Sequence, residues 1–102
     1  MANQHLAELH EKYSDIIAQM PDTFDSHQFI LKLAHENQEL YVKALYHYRN
    51  HTHRGKPAPF SALHLALSQH LSSLSHLVKR AGNTRTNDIF GHSQENAQWT
   101  KV

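Results

Sequence analysis

The sequence predicts a mainly α-helical fold: a bundle of three to four helices with a short C-terminal β-hairpin or extended tail. Three observations lead there. From Leu6 to Val78 apolar residues recur at three- and four-residue steps, the period of one helix face. The breaker residues Pro21, Gly55, Pro57, Pro59 and Gly82 fall between the apolar runs, where they act as punctuation. After Gly82 the helical period stops, and short apolar runs stand among polar turn residues.

The first helix is expected over about residues 3–20. Leu6, Leu9, Tyr13, Ile16, Ile17 and Met20 gather on one stripe, and Pro21 ends it by disfavouring helical geometry in the residue before it. Asp25 or Ser26 can cap the next helix, expected over 26–50. Phe29, Ile30, Leu33, Ala34, Leu40, Tyr41, Ala44, Leu45 and Tyr48 form its main stripe. Leu31, Val42 and Tyr46 form a weaker stripe on the opposite side. Twenty-five residues is long for a chain of this size, so a break near Asn37, which can cap a second segment, is favoured. A third helix is expected over 60–79 on Leu63, Leu67, Leu71, Leu74, Leu77 and Val78, with Lys79 and Arg80 at its negative end and Gly82 as terminator. In the tail, 84–102, Asp88–Gly91 and Ala97–Val102 read as short strands around a polar turn at His92–Asn96. Ile89, Phe90 and Trp99 are too apolar to be left free. The whole is read as one helical domain, 1–102.

At 102 residues and 39 % apolar composition, the chain can bury a modest core without a metal or disulfide. It has no cysteine, which excludes zinc-ribbon and thiol chemistry. Its first residues lack the basic and apolar regions of a signal peptide, and no run is long enough to span a bilayer. A cytoplasmic setting without membrane contact is therefore expected. The net charge of +1 hides a split. Residues 1–42 hold Glu8, Glu11, Asp15, Asp22, Asp25, Glu36 and Glu39 against Lys12 and Lys32, a net of −5. Residues 43–102 hold Lys43, Arg49, Arg54, Lys56, Lys79, Arg80, Arg85 and Lys101 against Asp88 and Glu95, a net of +6. Such asymmetry points to a polyanion partner or to head-to-tail self-association.

The stretch Tyr46–Phe60 concentrates the candidate chemistry. His47, His51 and His53 have the donors for a metal ion. No acid lies between Lys43 and Lys79, however, and Arg49, Arg54 and Lys56 repel a cation, so no metal site is expected. As an anion-binding arm the same stretch is better equipped. Arg49, Arg54, Lys56 and Lys43 can neutralise phosphates while Tyr46 stacks on a base; the plain alternative is a solvated charged loop. A helix-turn-helix-like variant would use Ser26–Glu36 as support and Gln38–Asn50 as recognition helix. Gln38, Val42, Lys43, Tyr46 and Arg49 would face a groove, and an Ile89–Trp99 hairpin would serve as wing. The absence of a turn glycine and the placement of Glu36 and Glu39 count against it.

His70 falls inside the third helix's stripe and His10 at the edge of the first. A core histidine with one hydrogen bond is the ordinary reading of either. Without a cysteine nucleophile, a glycine-rich phosphate loop or a nucleophile elbow, no catalytic residue and no cofactor are expected. The leading reading is a small non-catalytic regulator contacting nucleic acid through Lys43, Tyr46, Arg49, Arg54, Lys56, Lys79, Arg80 and Arg85. The alternative is a helical adaptor or inhibitor for another protein, in one version a homodimer. It rests on the Leu31/Val42/Tyr46 stripe and on the small Ser68, Ser72 and Ser75.

Overall fold

The fold is α+β rather than the expected mainly helical bundle with a short hairpin: five helices accompany a three-stranded antiparallel sheet, on which α3 and α5 make the main helix contacts. The computed structural model describes residues 3–102; Met1 and Ala2, which the expected domain 1–102 includes, lie outside the described residues. In chain order the elements are α1 (Gln4–His10), α2 (Tyr13–Gln19), β1 (Thr23–Asp25), α3 (Ser26–Glu36), α4 (Gln38–His47), β2 (Thr52–His53), β3 (Lys56–Pro57), α5 (Pro59–Ser72), β4 (Val78–Asn87) and β5 (Ser93–Lys101). The sheet order is β1-β5-β4, and β2 and β3 pair separately as a small hairpin.

The helix ends that depart from the helical reading have local causes. The first helix is two: the N–H groups of Glu11 and Lys12 bond three residues back, to Glu8 and Leu9, which tightens the turn and ends α1. Asn37 does break the second stretch, with φ −137° and ψ 52°. Its side chain does not cap α4, however. It reaches back and donates to the Leu33 carbonyl at 3.1 Å, closing α3 instead. α4 ends at His47 rather than Asn50. α5 stops at Ser72, seven residues short of expectation, where Ser72 and Ser73 hydroxyls take the carbonyls of Gln69 and His70. Serine competes for backbone groups in this way and weakens a helix end.

Val78 therefore opens a strand, and Lys79 and Arg80 are strand residues, not a helix terminus. Gly82, expected to end a helix, has φ +110° beside a β-bulge between Arg80 and Gly82, a conformation glycine adopts without a Cβ penalty. The hairpin spans ten and nine residues rather than two four-to-six-residue pieces, and its turn is Asp88–His92. Asp88 fastens that turn, accepting from the N–H groups of Phe90 and His92 at 2.9 and 3.0 Å. Thr23–Asp25, not expected as a strand, pairs with Gln98–Thr100. Asp25 ends β1 and caps α3 in a reciprocal box with Gln28.

The core contains the apolar stripes of all five helices together with Phe24, Val78 and Trp99 from the sheet. Trp99 is 3 % exposed and donates its indole N–H to Ser26 Oγ at 3.0 Å. Ser26 Oγ lies 2.8 Å from Ser68 Oγ, so one short hydroxyl chain ties β5 to the start of α3 and the middle of α5. The tail docks as expected through Trp99, but Phe90 stays 55 % exposed. It meets Phe60 edge-on at 4.8 Å and holds the β4–β5 turn against the start of α5. Among the described residues no helix is long and apolar enough to cross a membrane.

Trp99→Phe removes an indole donor and volume from the core and is expected to cost about 2–3 kcal/mol. Ser68→Ala, which removes one hydroxyl from the chain, should cost about 1 kcal/mol. Urea unfolding followed by circular dichroism reads both; equal losses for the two would contradict this account of Trp99.

Candidate nucleic-acid interface

α4 carries the best-formed candidate site. Its buried side is Tyr41 and Ala44. At 100° per residue this turns Val42, Lys43 and Tyr46 outward, and Val42 and Tyr46 are 60 % and 64 % exposed. Glu39 in the first turn suits the positive helix end and accepts from Lys43 Nζ at 2.8 Å. That contact holds the Glu39 carboxyl below and the Lys43 ammonium above its ordinary pKa. Past the helix end, Arg49 Nη1 donates to the Tyr46 carbonyl at 3.2 Å, and its guanidinium carbon sits 4.3 Å from the centre of the Tyr46 ring. The hydrogen bond and the cation–π contact together fix a flat pair, cation on ring.

The start of α1 forms the other wall. Asn3 Oδ1 accepts from the Leu6 N–H at 3.1 Å, capping α1, while Asn3 Nδ2 donates to the Ala44 carbonyl at 3.1 Å. One residue thus caps its own helix and pins it along α4. Between the walls runs a groove of about 550 Å³, lined by Asn3, Gln4, His5, Val42, Lys43, Tyr46, His47 and Arg49. Among the described residues no carboxylate is part of that lining, although Glu39 holds Lys43 and Glu8 lies 3.4 Å from His5. Its chemistry is an aromatic face, two permanent cations, two imidazoles and two amides.

The eight residues expected at a nucleic-acid surface divide into three groups. Lys43, Tyr46 and Arg49 share the groove. Arg54 and Lys56 stand on the β2–β3 hairpin that follows α4. The register pairs His53 with Lys56, and both intervening residues are left-handed, Arg54 at φ +54° and Gly55 at φ +78°. Such a tight turn favours Asn or Gly at the first of these positions, so Arg54 holds a conformation its Cβ resists. Lys79, Arg80 and Arg85 lie on β4, whose main neighbours are β5, α5 and β1, whereas α4 packs on α1, α3 and α5. Arg80 is engaged there with the Trp99 ring at 5.7 Å and the Gly82 carbonyl at 3.0 Å. Arg85 sits across the ladder from Glu95.

The helix-turn-helix variant is corrected by the geometry. α3 and α4 meet at the single residue Asn37 without the three- to four-residue turn of that motif, and the start of α1 lies along the outer side of the would-be recognition helix. Asn3, Gln4 and His5 join the site from outside the residues expected there. Nothing in a one-dimensional pattern announces that the polar start of α1 faces α4. His47, His51 and His53 do not assemble with an acid; among the described residues no three metal-ligating side chains come together. Comparison with known proteins finds no matching family model, no similar curated protein and no similar solved structure.

Two other titratable clusters lie away from the groove. His64 Nε2 is 2.6 Å from the Tyr41 hydroxyl and packs edge-on to Phe60. Burial pushes His64 down to about 4, with Asp88 partly opposing, and pushes Tyr41 up to about 12. His10 and His70 stack face to face, 3.6 Å apart, with Tyr13 edge-on to both. Burial lowers both imidazoles, and for His10 the neighbouring His70 adds to it. Tyr13 donates to the Leu67 carbonyl, and burial raises its pKa. Each of these histidines is disfavoured as a cation in the folded chain. The unfolded chain therefore binds more protons below the ordinary histidine value of 6.5, and stability falls as pH drops from there toward about 4. The expected outcome is a urea midpoint that declines between pH 7 and 4.5, with a shallower decline in His64→Gln. An unchanged slope in that variant would remove His64 as its main source.

Proposed function

We propose that the protein is a non-catalytic regulator that binds single-stranded nucleic acid in the α1–α4 groove. The observation that carries this reading is the Tyr46–Arg49 pair, a largely exposed ring in contact with a guanidinium, in the lining of the α1–α4 groove. An unpaired base stacks on such a face, and stacking on one aromatic contributes about 1–3 kcal/mol. Duplex bases are already stacked and cannot enter. Lys43 and Arg49 supply countercharge for the flanking phosphates, while Asn3 and Gln4 offer donors and acceptors to base edges.

Arg54 supports the reading independently. A left-handed arginine at the tip of an exposed hairpin costs the fold about 1 kcal/mol, and strain of this kind marks positions held for what the side chain does. Arg54 and Lys56 would extend the phosphate track beyond the groove. Lys79, Arg80 and Arg85, on a different element, are left out of this interface.

Fluorescence anisotropy with labelled single-stranded and duplex oligonucleotides, at about 50 and 200 mM salt, tests the proposal. Single strands should bind more tightly, with affinity falling as salt rises. Tyr46→Ala should weaken binding by about 5- to 100-fold at either salt. Arg54→Asn should weaken binding and flatten its salt dependence while raising stability by about 1 kcal/mol. Absence of binding at low salt, or Tyr46→Ala binding as well as the parent, would end this reading.

A further inference from the structure

The outer edge of the sheet is a second surface with its own chemistry. Among the described residues β4 pairs with β5 alone, and the direction of each backbone group follows from the ladder. Asp88 N–H donates to the His92 carbonyl at 2.9 Å, making that a hydrogen-bonded pair. Bonded and non-bonded pairs alternate in an antiparallel ladder, so Thr86 opposite Gln94 and Thr84 opposite Asn96 also turn their backbone inward to β5. Asn83, Arg85 and Asn87 must then turn theirs away from the sheet. All three residues are exposed, and no other backbone group among the described residues bonds to them. The bulge lies before this stretch, between Arg80 and Gly82, so Asn83–Asn87 remains a regular strand edge about 17 Å long.

A free edge is a template for another strand, and the charges on this one select the occupant. β4 carries Lys79, Arg80 and Arg85 and no acid. Glu95, the nearest acid on β5, already accepts from Asn83 Nδ2 at 3.2 Å. Two copies of the chain joined antiparallel through this edge and centred on Arg85 would place Arg85 opposite Arg85, and like charges directly opposite are destabilising. The same charges attract an extended segment that carries carboxylates.

We propose that the outer edge of β4 accepts an extended acidic segment of a partner protein as a fourth strand. Backbone hydrogen bonds from Asn83, Arg85 and Asn87 supply the affinity. Lys79, Arg80 and Arg85 favour Glu or Asp in the incoming strand and keep a second copy away. This surface is separate from the α1–α4 groove and does not depend on the reading given to it.

The test is amide hydrogen exchange by NMR on the intact chain, with a ten-residue peptide alternating Glu with Val and Thr. The control peptide has the same charge and is interrupted by prolines. In the free protein the Asn83, Arg85 and Asn87 amides should exchange quickly, and those of Thr84 and Thr86 slowly. The alternating peptide should slow the first three by at least about tenfold and leave the other two unchanged, while the proline peptide does neither. Arg85→Gln should weaken binding modestly. Arg85→Pro, which removes an outward N–H but no ladder bond, should weaken it much further. Equal effects of the two peptides, protection of the same amides by an oligonucleotide, or protection that grows with protein concentration alone would each overturn the proposal. The Tyr46→Ala protein should bind the peptide as the parent does, which separates this outcome from that of the groove.

Discussion

The indole of Trp99 is the contact on which the architecture turns. It is the largest side chain that the long hairpin buries in the core, and its N–H needs a partner there. Ser26 provides it, and Ser68 satisfies Ser26 in turn. Because Ser26 opens α3 directly after β1, the same bond sets where the helix leaves the sheet. Phe24 on β1 lies opposite Trp99 in the register and stacks toward Phe29 of α3, so the aromatic core is continuous from strand to helix. Asp25, buried between them, is committed to capping α3. A buried hydroxyl chain of this sort is costly when incomplete, which gives the helix–sheet docking one geometry rather than several.

Around that anchor the polar residues sort into those that hold the fold and those left for other work. Asn3, Asn37 and Asp88 each bind backbone groups at an element end. Tyr13 and Tyr41 spend their hydroxyls inside. Tyr46, by contrast, keeps its ring on the surface under Arg49. That difference between three tyrosines within one small chain is what singles out the α4 groove. The basic half of the sequence is not one basic surface. It is divided between α4 with its following hairpin and the far side of the sheet, and the two parts have different geometry. One is a groove with an aromatic face, the other a row of backbone donors and acceptors flanked by cations.

The sequence by itself determined the helical cores. The Leu6–Met20, Phe29–Tyr41 and Leu63–Leu71 stripes all face inward, because a 3.6-residue period leaves them one way to be buried together. The break at Asn37, the outward Val42 and Tyr46, and the docking of Trp99 were also legible. What it did not determine was where a local period gives way to a non-local partner. Leu74, Leu77 and Val78 continue a helical spacing, yet Val78 starts a strand because β5 lies alongside to complete its backbone hydrogen bonds. Thr23–Asp25 has no strand signature and becomes a strand for the same reason. Strand pairing is decided by residues distant in the chain, whereas a helix bonds within itself. The candidate site divides along the same line. Lys43, Tyr46 and Arg49 share one helix end and could be grouped from their spacing. Only the docking of α1 through Asn3 turned that helix face into a groove, and only the hairpin carried Lys79, Arg80 and Arg85 to a different surface.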